Sequence, residues 1–260
     1  MVPSGWIAGD VQPRVCLKKG WRTPEERVVL ARLFRDVPAV AENGMFLSGG
    51  TCLSAFYLGH RDSEDLDLFV AAPQLPLGGG CRLFSAIASA FPEELEKRDG
   101  FEPMDGNENF LSLRIMGVKV DFVADCLAFQ EERPLLDLLG AHVRVDSWEN
   151  LCVSKFAVFL SRGAEKDILD IGAILSHVEN ELRDPDRLAR FVEWLLDETQ
   201  RREYLSNEIS YVHEACCGAA EYLQRCTKHT SAAAVMQFAD AIRNMDDNIR
   251  DIVDADTPER

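Results

Sequence analysis

Alternation of polar and apolar positions marks the strands in the first half of the chain. Residues 65–70 place aspartate, leucine, aspartate, leucine, phenylalanine and valine in turn, and residues 110–115 and 118–123 alternate on either side of a Met-Gly pair. A period of two predicts half-buried strands, and the Met-Gly pair predicts a hairpin turn. Shorter apolar segments predict two further strands, at 45–48 and 142–145.

Capping residues predict where the first helices begin. Thr23 followed by Pro24 is typical of a helix start, and this helix should fade near Pro38. Two glycines end the strand at 45–48, and we expect Thr51 directly after them to cap a short helix that continues to Leu58.

The second half of the chain has only helical signals. Ser147 is expected to cap a helix that runs to Arg162 and stops at a glycine, and about four more helices follow through Val253. The pattern therefore predicts a mixed α/β (α+β) domain at residues 1–145, followed by a helical domain at 146–260.

The charge balance limits the classes of partner. The 260 residues carry 28 Lys and Arg against 44 Asp and Glu, a formal net charge of −16 with His neutral. Such a chain is poorly suited to bind nucleic acid over its whole surface, although a local basic patch is compatible with this net charge. Residues 1–35 form such a patch, with seven basic against three acidic side chains, and 14–35 are the best candidate contact for any nucleic-acid partner.

Neither a membrane span nor a secretion signal is expected from the sequence. No window approaches the roughly 18 uninterrupted apolar residues of a membrane helix, and residues 1–14 lack a basic start followed by an apolar run. The eight cysteines form no CxxC pair and no zinc-like spacing, so we expect reduced thiols, most of them in the core. These features predict a cytoplasmic protein with no membrane partner.

Three aspartates in strand positions are the first candidate chemical groups. Asp65 and Asp67 are two residues apart, so both side chains leave the same strand face, and Asp121 lies on the polar face of a later strand. If neighbouring strands bring two carboxylates within about 4 Å, the pair repels by about 4 kcal/mol at an effective dielectric near 20, unless a cation lies between them. Mg²⁺ or Mn²⁺ suits such oxygen ligands. The alternative is an exposed strand end whose aspartates only aid solubility.

A glycine turn upstream favours the first interpretation. Gly49, Gly50 and Thr51 lie at the predicted junction of a strand and a helix. Two glycines allow the backbone to approach a phosphate closely, and a helix start with a hydroxyl offers hydrogen-bond donors to it. A tight turn without a ligand is the alternative for the glycine pair alone. The order strand, Gly-Gly-Thr, helix, strand with two aspartates is more specific than any of its parts.

These motifs resemble those of a known family. Ser48–Leu53 read SGGTCL, residues 57–69 read YLGHRDSEDLDLF, and three later positions complete the pattern, namely Asp121 between Val120 and Phe122, Lys155 on a helix, and Asp167 with Asp170. With them the chain resembles the AbiEii/AbiGii nucleotidyltransferase toxins. That family includes MenT-type toxins and is a branch of the DNA polymerase β-like nucleotidyltransferases. The resemblance covers about residues 44–176.

The resemblance implies a fold, a reaction and a set of site residues. It implies a nucleotidyltransferase-type mixed sheet, a helical C-terminal domain that completes the active-site cleft, and transfer of an NMP from an NTP to an acceptor hydroxyl with release of pyrophosphate. Asp65, Asp67 and Asp121 would hold Mg²⁺ or Mn²⁺, and Asp121 would help to deprotonate the acceptor. The implied NTP-binding residues are Ser48, Gly49, Gly50, Thr51, Arg61, Ser63 and Lys155. The implied catalytic residues are Asp65, Asp67, Asp121, Lys155 and Asp167.

The identity of the acceptor depends on the resemblance alone. It implies a toxin that modifies an RNA, such as the 3′ end of tRNA, and a cognate antitoxin protein as a partner. Two other readings stay open. The nucleotide could be transferred to a small molecule such as an aminoglycoside or to a protein side chain, or the chain could be a catalytically inactive NTP-binding module.

Three side chains of the helical half have a structural interpretation as well as a functional one. Lys155 lies within the apolar stripe of its predicted helix, which favours a phosphate-holding cation in a cleft over a lysine that extends to solvent. Asp167 and Asp170 share one helix face and either pair with Lys155 or Arg162 or serve as surface acids.

Overall fold

The chain forms a sheet-containing unit and a helical unit. The computed structural model describes residues 11–14, 19–71, 79–90, 102–107, 109–125, 132–182, 185–201 and 209–255. One compact unit is Gln12–Leu151, and the other takes in Cys152–Arg260. The domain boundary between residues 145 and 146 stays a prediction. The mixed α/β class with a helical C-terminal half is confirmed.

A five-stranded mixed sheet is the centre of the first unit. Its strands are β1 (Phe46–Ser48), β2 (Asp65–Ala71), β3 (Glu102–Gly106), β4 (Phe110–Ile115) and β5 (Val118–Asp125). They lie side by side in the order β1-β2-β5-β4-β3. Only the β2–β5 pair is parallel. A separate two-stranded hairpin joins β6 (Leu135–Leu138) to β7 (Ala141–Arg144).

Four helices accompany the sheet in the described part of this unit. They are α1 (Pro24–Asp36), α2 (Pro38–Glu42), α3 (Gly49–Cys52), which continues as a π-helical turn (Leu53–Leu58), and α4 (Gly79–Ser89). Val29, Leu30 and Leu33 of α1 are buried, as are Leu66 of β2 and Val120 of β5. The apolar face of the sheet is thus core, and the alternating aspartates are left on the opposite face.

The predicted β4–β5 hairpin is confirmed, and the predicted cap of α3 is wrong. Met116 and Gly117 take positive φ values of 53° and 80° at the hairpin turn, as a tight two-residue connection requires. The helix after β1 begins at Gly49 rather than beyond Thr51. The Thr51 hydroxyl is buried and donates a hydrogen bond to the carbonyl oxygen of Asp65 at 2.5 Å, so it ties the helix to β2 instead of capping it.

Five helices make up the rest of the described chain. They are α5 (Trp148–Arg162), α6 (Glu165–Leu182), α7 (Pro185–Arg201), α8 (Ile209–Arg225) and α9 (His229–Ala255). The hydroxyl of Ser147 accepts a hydrogen bond from the Asn150 amide at 3.1 Å, so the predicted cap of α5 is confirmed. Phe156 and Phe238 meet edge to face with ring centroids 5.6 Å apart, which places α5 and α9 around one aromatic core.

The described residues bear on two predictions, that most thiols lie in the core and that no helix spans a membrane. Cys52, Cys152 and Cys216 are buried thiols, whereas the Cys226 thiol is exposed. Burial raises the pKa of the Cys216 thiol to about 12. No helix in the described part of the chain is both long and apolar enough to cross a membrane.

Candidate active site

Three carboxylates converge on the polar face of the sheet. Asp65 and Asp67 project from β2, and Asp121 projects from β5, whose parallel pairing places Asp67 directly beside Asp121. One carboxylate oxygen from each residue lies within 4.8 Å of the other two. Asp121 is buried and the other two are half-buried. The convergence on which the metal hypothesis depends is therefore present.

A lysine and a serine complete this cluster. Lys119 lies opposite Asp65 in the strand register, and its Nζ is 2.5 Å from Asp121 Oδ2 and 3.5 Å from Asp65 Oδ2. Ser112 of β4 donates a hydrogen bond to the other oxygen of Asp121 at 2.6 Å. Burial alone would lower the pKa of Lys119, but its hydrogen bond to Asp121 and the negative charges of Asp121 and Asp65 raise it. The sequence reasoning missed Lys119, although the period of two that placed Asp121 on this face also places Lys119 there.

The glycine turn lies directly against the carboxylates. Gly49 has a φ of +69°, and a Cβ added there would lie 2.1 Å from Asp67 Oδ2. A Cβ on Gly50 would lie 2.7 Å from Arg61 Nη2 and 2.8 Å from Ser63 Oγ. Glycine is required at position 49 by both its backbone angle and the space available. The fold thus brings four of the predicted NTP-binding residues together beside Asp67.

Ser48, a fifth residue predicted to bind NTP, has another partner. Its hydroxyl donates a hydrogen bond to Asp146 Oδ2 at 2.6 Å, across 98 residues of sequence. Asp146 is fully buried and also accepts hydrogen bonds from Asn150 Nδ2 at 2.6 Å and Arg133 Nε at 3.1 Å. Burial raises the pKa of Asp146, and the charge of Arg133 with these hydrogen bonds opposes that rise. Asp146 therefore anchors the residue that immediately precedes Gly49.

Sequence reasoning assigned no role to Asp146. An aspartate directly before a helix cap is usually read as part of the cap, and its side chain does accept a hydrogen bond from the Ser147 amide at 3.1 Å. Nothing local indicates Ser48 or Arg133 as partners, since the two contacts span 98 and 13 residues of sequence. The guanidinium of Arg133 also lies 3.7 Å from the centroid of the Phe46 ring.

A cleft of about 530 Å³ opens beside Asp65 and Lys119 within the same unit. Arg22 and Arg114 line it together with Glu64, and Arg22 pairs with Glu64 at 2.6 Å. Of the basic segment expected to contact RNA, Arg22 therefore lies at the cleft. Lys18 falls outside the described residues.

The helical unit contains the remaining predicted site residues. Lys155 Nζ lies 2.8 Å from Asp170 Oδ2, and the Arg162 guanidinium binds Asp167 through two hydrogen bonds of 2.7 and 2.8 Å. Both aspartates are fully buried, so the alternative that they are surface acids is wrong. The Lys155 side chain is only 12% exposed. Its role toward phosphate and the catalytic role of Asp167 stay predictions.

The sequence match decides the family. Residues 32–251 match the family described as nucleotidyl transferase AbiEii toxin of type IV toxin–antitoxin systems. The chain belongs to the AbiEii toxin family. The resemblance inferred from the motifs is thereby confirmed, and this AbiEii protein is a nucleotidyltransferase.

Solved structures similar to the AbiEii chain are distant in sequence. JHP933 from Helicobacter pylori is 17% identical with a TM-score of 0.44, and the match covers 89% of this chain and 97% of that one. The antibiotic-resistance factor ANT(2'')-Ia is 17% identical with a TM-score of 0.43, over 70% and 95% of the two chains. The toxin MenT4 from Mycobacterium tuberculosis is 15% identical with a TM-score of 0.38, over 80% and 91%. No curated protein matches the chain.

Proposed function

We propose that this AbiEii nucleotidyltransferase depends on a divalent metal ion, Mg²⁺ or Mn²⁺, held by Asp65, Asp67 and Asp121. The observation that carries the proposal is the approach of three carboxylate oxygens to within 4.8 Å of one another. Clustered carboxylates repel one another, and hard divalent cations with oxygen ligands offset that repulsion. Family membership supports the same reaction, the transfer of an NMP from an NTP to an acceptor hydroxyl with release of pyrophosphate.

The chain's own groups have separate tasks in this proposal. Gly49 and Gly50 admit the triphosphate close to the backbone, and Arg61 beside Gly50 provides positive charge for it. Ser112 orients Asp121, which accepts the proton of the acceptor hydroxyl. The bound divalent ion supplies neutralising charge for the triphosphate oxygens. Positioning and charge neutralisation carry most of the acceleration.

Metal-dependent labelling tests this proposal. The purified protein is incubated with each α-labelled NTP, total tRNA and either Mg²⁺ or EDTA, and released pyrophosphate is measured in parallel. We expect transfer only with the metal, and loss of transfer in Asp65→Asn and Asp67→Asn. Asp137→Asn is the matched control, since Asp137 is an exposed residue of β6. Transfer that persists in EDTA or in Asp65→Asn would contradict the metal site.

We also propose that the acceptor is RNA, such as the 3′ end of tRNA. The support from the structure is the pair of arginines, Arg22 and Arg114, that line the cleft beside Asp65. Arginine side chains at a cleft suit contacts to phosphate. We expect Arg22→Gln with Arg114→Gln to reduce RNA labelling while NTP binding persists, and Arg243→Gln, an exposed arginine of α9, to leave labelling unchanged. Label that enters a small-molecule or protein fraction instead of RNA would replace this acceptor.

We propose a cognate antitoxin protein and a cytoplasmic location as well. The support for the antitoxin is the description of the matched family as the toxin of a type IV toxin–antitoxin system. Expression of the wild-type protein is expected to arrest growth, and co-expression of the neighbouring gene is expected to relieve the arrest. If Asp65→Asn arrests growth as strongly as the wild type, toxicity does not come from nucleotidyl transfer.

A further inference from the structure

Lys119 is the one residue of the carboxylate cluster, among those described, that the proposed metal site leaves without a task. Its ammonium contacts Asp121 Oδ2 at 2.5 Å and Asp65 Oδ2 at 3.5 Å, so it bridges two of the three proposed metal ligands. The lysine side chain is 34% exposed and the Asp121 side chain only 12%. The ion pair is therefore partly shielded from water. Charge interactions are stronger in such a shielded position than at an exposed surface.

Lys119 and a divalent ion at this cluster would both use the carboxylate of Asp121. Asp121 Oδ1 accepts the hydrogen bond of Ser112, and Asp121 Oδ2 accepts that of Lys119. A divalent ion of the magnesium type binds carboxylate oxygens at about 2.0–2.1 Å. An ammonium and a divalent ion on one oxygen would repel each other strongly, so the two cations exclude each other there.

The cleft beside Asp65 offers space for the Lys119 ammonium when it leaves the carboxylates. The register of β4 and β5 places it beside Arg114, and both residues line the cleft next to Asp65. Arg22 also lines this cleft, and so do the carboxylates Glu25, Glu26 and Glu64, which can receive an ammonium. A lysine side chain is long and flexible, so its ammonium can turn into this cleft without backbone movement.

We propose that Lys119 is an internal counter-ion that competes with the divalent metal for Asp65 and Asp121, and that metal binding releases its ammonium into the cleft. Lys119 is then a positioning residue that holds the carboxylates together before the metal arrives. This inference rests on the metal site proposed above. The inference predicts that the cleft gains one positive charge, the released Lys119 ammonium, when the metal binds.

Calorimetric titration with Mn²⁺ alone tests the competition. Lys119→Met keeps the length of the side chain and removes its charge, so we expect Mn²⁺ to bind roughly tenfold more tightly than to the wild type. Lys119→Arg retains the charge and should bind Mn²⁺ like the wild type. Lys228→Met removes a charge at an exposed position before α9 and serves as control. A merely structural loss would weaken metal binding, so tighter binding separates the two roles.

The outcomes distinguish this inference from the proposed function. If the wild type binds Mn²⁺ and Lys119→Met binds it equally or more weakly, the counter-ion role is wrong and the metal site stands. If the wild type binds no Mn²⁺, both proposals fall. If Lys119→Met does not fold, nitrogen-15 spectra of the lysine ammonium groups in the wild type decide. The Lys119 signal should shift on Mg²⁺ addition while that of Lys228 does not, and an unchanged Lys119 signal overturns the inference.

Discussion

Replacement of Asp146 by alanine tests the contact that anchors the glycine turn. Asp146 is fully buried and holds Ser48, Asn150 and Arg133 through one carboxylate. Asp146→Ala would remove the carboxylate that lies 3.1 Å from the Arg133 guanidinium, a side chain that is only 6% exposed. The change therefore removes four hydrogen bonds, including the one from the Ser147 amide, and a buried ion pair at once.

The expected magnitude follows from the burial of this ion pair. Removal of one partner from a buried pair destabilises a protein by about 3–5 kcal/mol. For a unit of the size of Gln12–Leu151, this corresponds to a fall in Tm of roughly 10 °C. Ser48 would also lose its acceptor, so we expect weaker Mn²⁺ binding at the adjacent Gly49–Asp67 contact.

Thermal unfolding followed by tryptophan fluorescence measures the effect, because Trp148 and Trp21 are buried in this unit. Asp137→Ala, at an exposed position of β6, is the control and should change stability by about 0.5 kcal/mol or less. Asp146→Ala combined with Arg133→Met should recover part of the loss, since both members of the buried ion pair are then replaced by uncharged side chains. If Asp146→Ala lowers Tm no more than Asp137→Ala does, the reasoning about the buried pair is refuted.

Three further predictions concern a glycine, a lysine and a thiol. Gly49→Ala puts a Cβ against Asp67 at a positive φ, so we expect roughly tenfold weaker Mn²⁺ binding in calorimetry. Lys155→Met removes the ion pair to the buried Asp170, so we expect the helical unit to lose about 3 kcal/mol in urea unfolding. Cys216, buried and with a pKa of about 12, should stay unmodified by iodoacetamide at a pH of about 8, as judged by mass spectrometry of the folded protein.

Each of these has a matched comparison within the chain. Gly140→Ala introduces similar backbone strain, since Gly140 has a φ of +75°, but a Cβ there meets nothing within 4 Å. If Gly49→Ala and Gly140→Ala bind Mn²⁺ equally well, the clash with Asp67 has no role. Lys166→Met removes a charge from an exposed position and should be nearly neutral. The exposed Cys226 should be alkylated readily, and faster labelling of Cys216 than of Cys226 would show that the burial argument is wrong.

Local patterns predicted much of the sheet, and they failed where pairing alone makes a strand. The alternation at residues 65–70 and 110–123 predicted β2, β4 and β5, because side-chain direction along a strand depends only on neighbouring residues. β3, with the sequence EPMDG, contains a proline and a glycine, and β6, with LLDL, has little alternation. Both were missed, because hydrogen bonds to β4 and β7 create them rather than any local preference.

By itself, the amino-acid sequence determined the family, the mixed α/β class with a helical C-terminal half, and the residue types of the site. Spacing and motif are local properties that short segments carry without reference to the rest of the chain. The tertiary structure decided which of those residues meet. The parallel register of β2 and β5 brings Asp121 beside Asp67 and inserts Lys119 between the carboxylates. The tertiary structure also joins Ser48 to Asp146 across 98 residues, a contact that only the folding of distant segments onto one another can produce.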